Sequence, residues 1–451
     1  MLAILCHTTP ITAAPLDALR TLWAISSNFR SNPTDLAQGR TAHTELTLDH
    51  HLLTHSRRRE SSTWSLSGHQ DLPLFQGALR LELGRAGTEA RFSSDTARFS
   101  SRPNQREYLD LSYGRSCKNR LDLGFKTRLR PTAGVEGTIG LRLYLLADWS
   151  AVAYLSRYAV DHRVSFDFKS DRLDADILGH RSAGGFHLQG DLFNKVAVYL
   201  RGQRIHLPGN FQTEDYTLAP RAGWGVYEGS ITIPLTSPFS LQSHLRYRHL
   251  SSRPEGHLQG RRFMRSRATA HDLAGFLSLR YAPQRGREME WGIFANRGEL
   301  DATRGRLESW PFLNSFASVV GGKDWSFWGD ADLRLYGIDF RLRRHRARWC
   351  LETATRLLRL RGGLSTTSRE RSKFNIGSLF FPEEHRYIGT FQADVIDLDV
   401  RVEYRFPTWG LRYAISQLVP LRVHTSSTEL AEDKRGGRQQ QLSLMYTPDL
   451  K

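Results

Sequence analysis

The stretch Val395–Phe406, VIDLDVRVEYRF, constrains the fold more than any other part of the chain. Read at every second residue, it separates into Ile396, Leu398, Val400, Val402, Tyr404 and Phe406 on one side and Asp397, Asp399, Arg401, Glu403 and Arg405 on the other. Side chains along a strand point alternately to opposite faces, so this segment has one wholly apolar face and one wholly charged face. A helix would scatter the same residues around its circumference. The segment is also longer and more cleanly two-faced than a typical soluble strand. It fits a strand that separates lipid from a watery interior.

The pattern repeats along most of the chain. Leu79, Leu81 and Leu83 oppose Arg80 and Glu82. Leu121, Leu123, Phe125 and Leu129 oppose Arg120, Asp122, Lys126 and Arg128. Val135, Ile139, Leu141, Leu143 and Leu145 oppose Glu136, Arg142 and Tyr144, and Val196, Val198 and Leu200 oppose Lys195, Tyr199 and Arg201. Leu241, Leu245 and Tyr247 oppose Gln242, His244, Arg246 and Arg248, and the series closes with Leu442, Leu444 and Tyr446. About twenty candidate strands can be drawn. Short joints at Ser170–Asp171, Ala183–Gly185 and Asp191–Asn194 predict antiparallel hairpins. Longer loops are expected at 202–220, 251–270, 298–326 and 362–382. Within Asp330–Arg344 the apolar phase changes from Leu333 and Leu335 to Ile338, Phe340 and Leu342, and a β-bulge at Tyr336–Gly337 is expected to restore it. The one helical candidate near the start is Leu16–Ser26, with Leu16, Leu19, Leu22 and Trp23 at helical spacing.

Composition narrows the choice of environment. No apolar run approaches the roughly 18 residues of a transmembrane helix, and the mean hydropathy is −0.46. A membrane barrel tolerates that value, because only alternate strand residues must be apolar. The charge is +17, from 63 Lys+Arg against 46 Asp+Glu. Only eight of the basic residues are lysines. An excess of one sign bears on partners rather than on fold: nucleic acid, anionic headgroups or anionic solutes. Cys6, Cys117 and Cys350 form neither a disulfide framework nor a zinc pattern. Residues 1–15 resemble the end of an export signal without its basic start, and 16–42 read as a lead-in to a single domain over 43–451.

A series of soluble sandwiches would show linkers, and a solenoid would show a fixed period; neither is present. The alternation of two-faced strands, tight turns and long polar loops resembles that of bacterial outer-membrane β-barrels of the porin-like kind. The expected fold is all-β: one antiparallel transmembrane β-barrel of about 16–18 strands, within a range of 14–20, with long loops on one side. Aromatic residues near segment ends (Trp224, Tyr281, Trp291, Trp349, Tyr404, Phe406, Trp409 and Tyr413) are expected in interfacial girdles. Such barrels usually end on an aromatic residue read by the barrel-assembly machinery. Here Thr447–Lys451 follow Tyr446, so the last strand departs from that pattern. The resemblance implies outer-membrane location, contact with outer-membrane lipid and barrel-assembly machinery as partner.

No phosphate-binding glycine loop, HExxH or nucleophile elbow is present, and no cofactor, metal or enzymatic activity is expected. His50, His51, His55 and Ser56 lie close together, but no carboxylate partner is evident for a triad. The informative set is the arginines on the polar phases of clean strands: Arg128, Arg142, Arg201, Arg246, Arg248, Arg280, Arg401 and Arg405. If the apolar faces meet lipid, these line a pore, and cationic rings in a narrow pore favour anions. The plainer reading pairs them across strands with Asp122, Asp167, Asp397, Asp399 and Glu403, and both readings can hold together. The expected function is a passive outer-membrane channel or export porin for anionic solutes. The alternative is a non-conducting barrel for assembly or adhesion, whose basic loops near 251–270 and 361–373 bind a polyanion or a partner. A soluble nucleic-acid-binding fold is disfavoured, because the basic residues are spread along strands.

Overall fold

Alternation of this kind satisfies every backbone group only if each strand finds two neighbours. The computed structural model describes residues 43–446 except 57–58, 76, 94–96, 104–106, 118–120, 131–133, 147–148, 169–170, 194, 208, 213–215, 220, 254, 259–260, 285, 308–322, 373–382, 407–408 and 426–437. The helical candidate Leu16–Ser26 and the export-signal remnant lie outside these residues.

The strands, in chain order, are β1 (His43–Ser56), β2 (Arg59–Leu74), β3 (Gly77–Ser93), β4 (Ala97–Pro103), β5 (Glu107–Cys117), β6 (Leu121–Arg130), β7 (Gly134–Leu146) and β8 (Trp149–Phe168). Then come β9 (Asp171–Leu192), β10 (Val196–Leu207), β11 (Gly209–Gln212), β12 (Tyr216–Ala219), β13 (Ala222–Thr236), β14 (Phe239–Ser252), β15 (Glu255–Leu258) and β16 (Arg261–Arg265). The last are β17 (Ala268–Gln284), β18 (Arg287–Leu307), β19 (Lys323–Arg346), β20 (Trp349–Ser372), β21 (Glu383–Arg405), β22 (Trp409–Thr425) and β23 (Arg438–Tyr446).

All the strand pairs are antiparallel. Among the described residues, eighteen strands follow one another around a ring: β1, β2, β3, β5 to β10, β13, β14 and β17 to β23. The ring closes because β23 pairs with β1, from Leu46 opposite Tyr446 to Thr54 opposite Arg438. Closure removes the exposed edges that an open sheet would leave. The remaining strands form a short second tier at one end: β4 bridges β3 and β8, while β11, β12, β15 and β16 run between β9 and β18.

The two ends of the ring differ. At one end consecutive strands are joined at 75–76, 118–120, 147–148, 193–195, 237–238, 285–286, 347–348 and 406–408, none longer than three residues. At the other end lie the second tier and the connections 308–322, 373–382 and 426–437. The expected one-sidedness of the long loops is therefore observed.

Polarity is inverted relative to a soluble protein. Asp110, Asp122, Glu136, Asp339 and Arg246 are buried, while Ile139, Leu155, Leu83, Ile293, Leu245 and Ile338 stand exposed. On β19 the outward residues between Arg344 and Arg334 are Leu342, Phe340, Ile338 and Tyr336. At about 3.3 Å per residue and a tilt near 40° that interval is roughly 25 Å tall, the height of the apolar band on an outer-membrane barrel. Aromatic residues gather where this belt meets the short turns. Trp349 lies 4.4 Å from Tyr404, which lies 4.3 Å from Phe406, and Phe239 lies 4.7 Å from Tyr281. Tyr113 Oη donates to the Phe75 carbonyl, and Trp149 Nε1 donates to the Asp191 carbonyl. Their polar tips thus reach the turns while their rings stay on the belt, the usual interfacial arrangement.

Several expectations need correction. β19 carries no bulge at Tyr336–Gly337, since its ladders with β18 and β20 run through that point unbroken. The nearby irregularity is between β21 and β22, at Asp394/Val395. Ala183–Gly185 is not a turn; it lies inside β9, paired on both sides. The loops expected at 298–326 and 362–382 are shorter, because β18 runs on to Leu307 and β20 to Ser372. Trp224 is not in a girdle, for it shares the inward phase of buried Val226.

Candidate functional site

The inward face carries a nearly continuous set of ion pairs, and the register explains it. A charged residue on one strand falls opposite a charged residue of the other sign on the next. Asp110 is opposite Arg128, Arg128 opposite Glu136, and Asp122 opposite Arg142. Arg201 is opposite Glu228, Arg248 opposite Asp272, and Arg356 sits between Asp339 and Asp397.

The contacts are close and mostly charge-assisted. Arg128 donates to Asp110 through Nε and Nη2 at 2.6 and 2.7 Å, Lys126 reaches the same carboxylate at 2.8 Å, and the guanidinium rests 4.0 Å above the Tyr108 ring. Arg248 holds Asp272 with two bonds of 2.6 Å. Arg356 reaches Asp397 at 2.8 Å, Asp399 at 2.9 Å and Asp339 at 3.4 Å. Asp339 also pairs with Arg341 at 2.7 Å, and Glu403 accepts from Arg405 and Arg412. Bidentate pairs of this sort are among the strongest polar contacts available to a folded chain.

The eight arginines singled out by sequence share this inward face. Arg142 is 4.0 Å from Asp122, and Arg201 is 3.7 Å from Glu228. Arg280 is 2.6 Å from Glu288, and Arg401 is 3.3 Å from Glu352. Arg246 is buried next to Arg248 in the row of Glu228 and Ala274. Of the carboxylates named as partners, Asp122, Asp397, Asp399 and Glu403 are in these pairs, whereas the side chain of Asp167 lies outside the described residues. So do those of His50, His51, His55 and Ser56 on β1. Sequence reading missed Asp110, Asp339 and Arg356. The signal for Arg356 is weak because Leu358 and Leu360 share its inward phase.

The pairs are asymmetric in depth. The Arg405 side chain is 72% exposed and its partner Glu403 8%; for Arg341 and Asp339 the values are 39% and 2%. Arg128 and Asp110 follow the same order at 24% and 0%. In these pairs the carboxylate is the buried partner and the guanidinium group the more exposed one. Two pairs, Arg201–Glu228 and Arg248–Asp272, are level, and in Arg356–Asp399 the order is reversed. A cavity of about 500 Å³ near the short-turn end is lined by inward polar residues, among them Tyr144, Ser150, Gln189, Tyr199 and Thr232. Among the described residues no cluster of His, Cys, Asp and Glu has the make-up of a metal site.

No protein-family model matches the chain, and no characterised protein matches it in sequence. Solved structures do align with it. Pseudomonas aeruginosa OprD aligns at 12% identity over 94% of this chain and 99% of its own, with a TM-score of 0.37. Acinetobacter baumannii OccAB2 aligns at 12% identity over 92% and 100%, with a TM-score of 0.36. P. aeruginosa OccK2 (OpdF), solved with glucuronate, aligns at 9% identity over 91% and 98%, also at 0.36. Similarity this low assigns neither solute nor role to this chain. Its own geometry, a closed antiparallel ring with an apolar belt, an aromatic girdle and long connections at one end, is that of a porin-like outer-membrane β-barrel.

Proposed function

We propose that the protein is an outer-membrane channel with a lumen lined by guanidinium groups, which favours anionic solutes. The observation that carries this reading is the depth asymmetry of the inward ion pairs. Each pair is close to neutral, but in most of them the positive end is the more exposed and the negative end the more buried. Solutes passing along such a wall meet cationic tips first, and these stabilise anions in a confined pore. The arginines assigned to the pore are Arg128, Arg142, Arg201, Arg246, Arg248, Arg280, Arg401 and Arg405. Arg280, Arg401 and Arg405 are the most exposed of those in ion pairs. The overall charge of +17 acts in the same direction.

The test is the reversal potential of the protein in a planar bilayer under a KCl gradient. Chloride preference is expected, weakened in Arg401→Gln/Arg405→Gln. Cation preference in the unaltered protein would sink the selectivity. A sealed barrel that shows salt-sensitive polyanion binding would point instead to an assembly or adhesion component.

A further inference from the structure

The outer wall changes character just above the apolar belt on β18 to β22. Arg297 is directly opposite Arg334, and Arg334 is directly opposite Arg361. All three lie on the outward phase, two residues from Ala295, Tyr336 and Arg359 respectively. One row lower, Arg359 faces Asp394, and Asp394 faces Arg422. The irregularity between β21 and β22 at Asp394/Val395 brings Arg422 into that row. Five guanidinium groups therefore share one patch of outer wall.

Like charges directly across a ladder are destabilising, so this arrangement needs compensation. The nearby carboxylates supply only part of it. Glu299 accepts from Arg297 at 2.6 Å and is shared with His271 at 3.1 Å. Asp332 is 3.8 Å from Arg334. Asp394 is held by Arg359 at 2.6 Å and lies in the fields of Arg422 and Arg361. With exposed Asp330, two residues beyond Asp332 on the same phase, four carboxylates face five arginines. The Arg297 and Arg334 side chains are 66% and 60% exposed, so the groups are open to a ligand outside the barrel.

Position identifies the ligand. Tyr336 stands exposed immediately below, at the top of the belt, with exposed Ile338, Leu357 and Ile293 one row further down. The patch is on the long-connection side, and it points outward rather than into the lumen. Neighbouring strands lie about 4.8 Å apart, so three adjacent arginines span roughly 10 Å. We infer that this patch binds the phosphate groups of lipid headgroups in the leaflet on the long-connection side, an annular lipid site built into the wall. Guanidinium forks match phosphate oxygens in a bidentate way, and a basic residue near a membrane surface adds appreciably to anionic-lipid binding.

The inference rests on the membrane reading of the belt, and its test separates the two. Unaltered protein and Arg297→Gln/Arg334→Gln/Arg361→Gln are reconstituted in phosphatidylcholine vesicles containing spin-labelled phosphatidic acid or spin-labelled phosphatidylcholine. The motionally restricted fraction gives the relative association of each lipid. The unaltered protein is expected to prefer phosphatidic acid on the order of tenfold, with most of that preference lost in the triple variant. Arg297→Lys/Arg334→Lys/Arg361→Lys, which keeps the charge, retains much of it. Inorganic phosphate in excess leaves the preference in place. Restricted lipid without headgroup preference, an unchanged preference in the triple glutamine variant, or displacement by inorganic phosphate would each overturn the inference. No restricted lipid of either kind would instead overturn the membrane reading itself.

Discussion

Arg356 is the residue on which most of the inward network on β19, β20 and β21 converges, with contacts to Asp339, Asp397 and Asp399. Asp339 and Asp397 are themselves buried. Removing the cation leaves these carboxylates short of positive charge in a place where water screens them poorly, and breaking a buried pair in this way costs about 3–5 kcal/mol. Arg356→Ala is therefore expected to lower the stability of the bilayer-folded protein by that order in a urea titration. Adding Asp339→Asn should recover part of the loss, because it removes one uncompensated charge. A single variant as stable as the parent would contradict the network. Arg128 and Asp110 follow the same logic. Arg128 was legible from its alternation with Leu129 and Phe125, but Asp110 was not, because the segment around it is short and carries Ser112 and Gly114 on the same phase.

At the scale of the element, β19 shows where sequence reading succeeds and where it fails. Its lower half was legible: Ile338, Phe340 and Leu342 alternate with Asp339, Arg341 and Arg343. The expected bulge came from assuming that one face stays apolar along the whole strand. In the structure β19 leaves the belt near Tyr336. Directly above that point the outside is polar, with Arg334 and Asp332 exposed. The inside is apolar there: Leu333 and Leu335 pack with Leu358, Leu360, Val395, Phe294 and Phe391. The environment on each side changes while the backbone continues straight. Gly337 sits at the crossover, where an added Cβ would collide with the Leu357 carbonyl oxygen and press on the Phe294 ring. The phase switch makes a paired prediction. Ile338→Arg, near mid-belt, should cost about 2–4 kcal/mol, whereas Arg334→Ile, above the belt, should change stability by no more than about 0.5 kcal/mol. Equal costs in the same urea titration would mean that the belt does not end at Tyr336.

At the scale of the molecule, the eighteen-strand ring falls within the expected range of strand number, and the one-sided long connections were readable from turn chemistry alone. What composition and periodicity could not reveal was depth. Alternation tells which residues share a face, but not that a carboxylate is buried while its arginine stays more exposed. That order depends on side-chain length and cross-strand register, which appear only once the pairs are set. The outer-wall arginine patch was hidden for the same reason. Arg297, Arg334 and Arg361 are far apart in sequence and become neighbours only through the ladders. The central claim, that the apolar face of a closed barrel meets lipid, is tested most directly by extracting the protein from membranes in mild detergent and comparing its gel mobility with and without boiling in SDS. A closed membrane barrel predicts an outer-membrane protein that migrates as a compact species unboiled and shifts on heating. A protein recovered from the soluble fraction, with one mobility under both conditions, would contradict it.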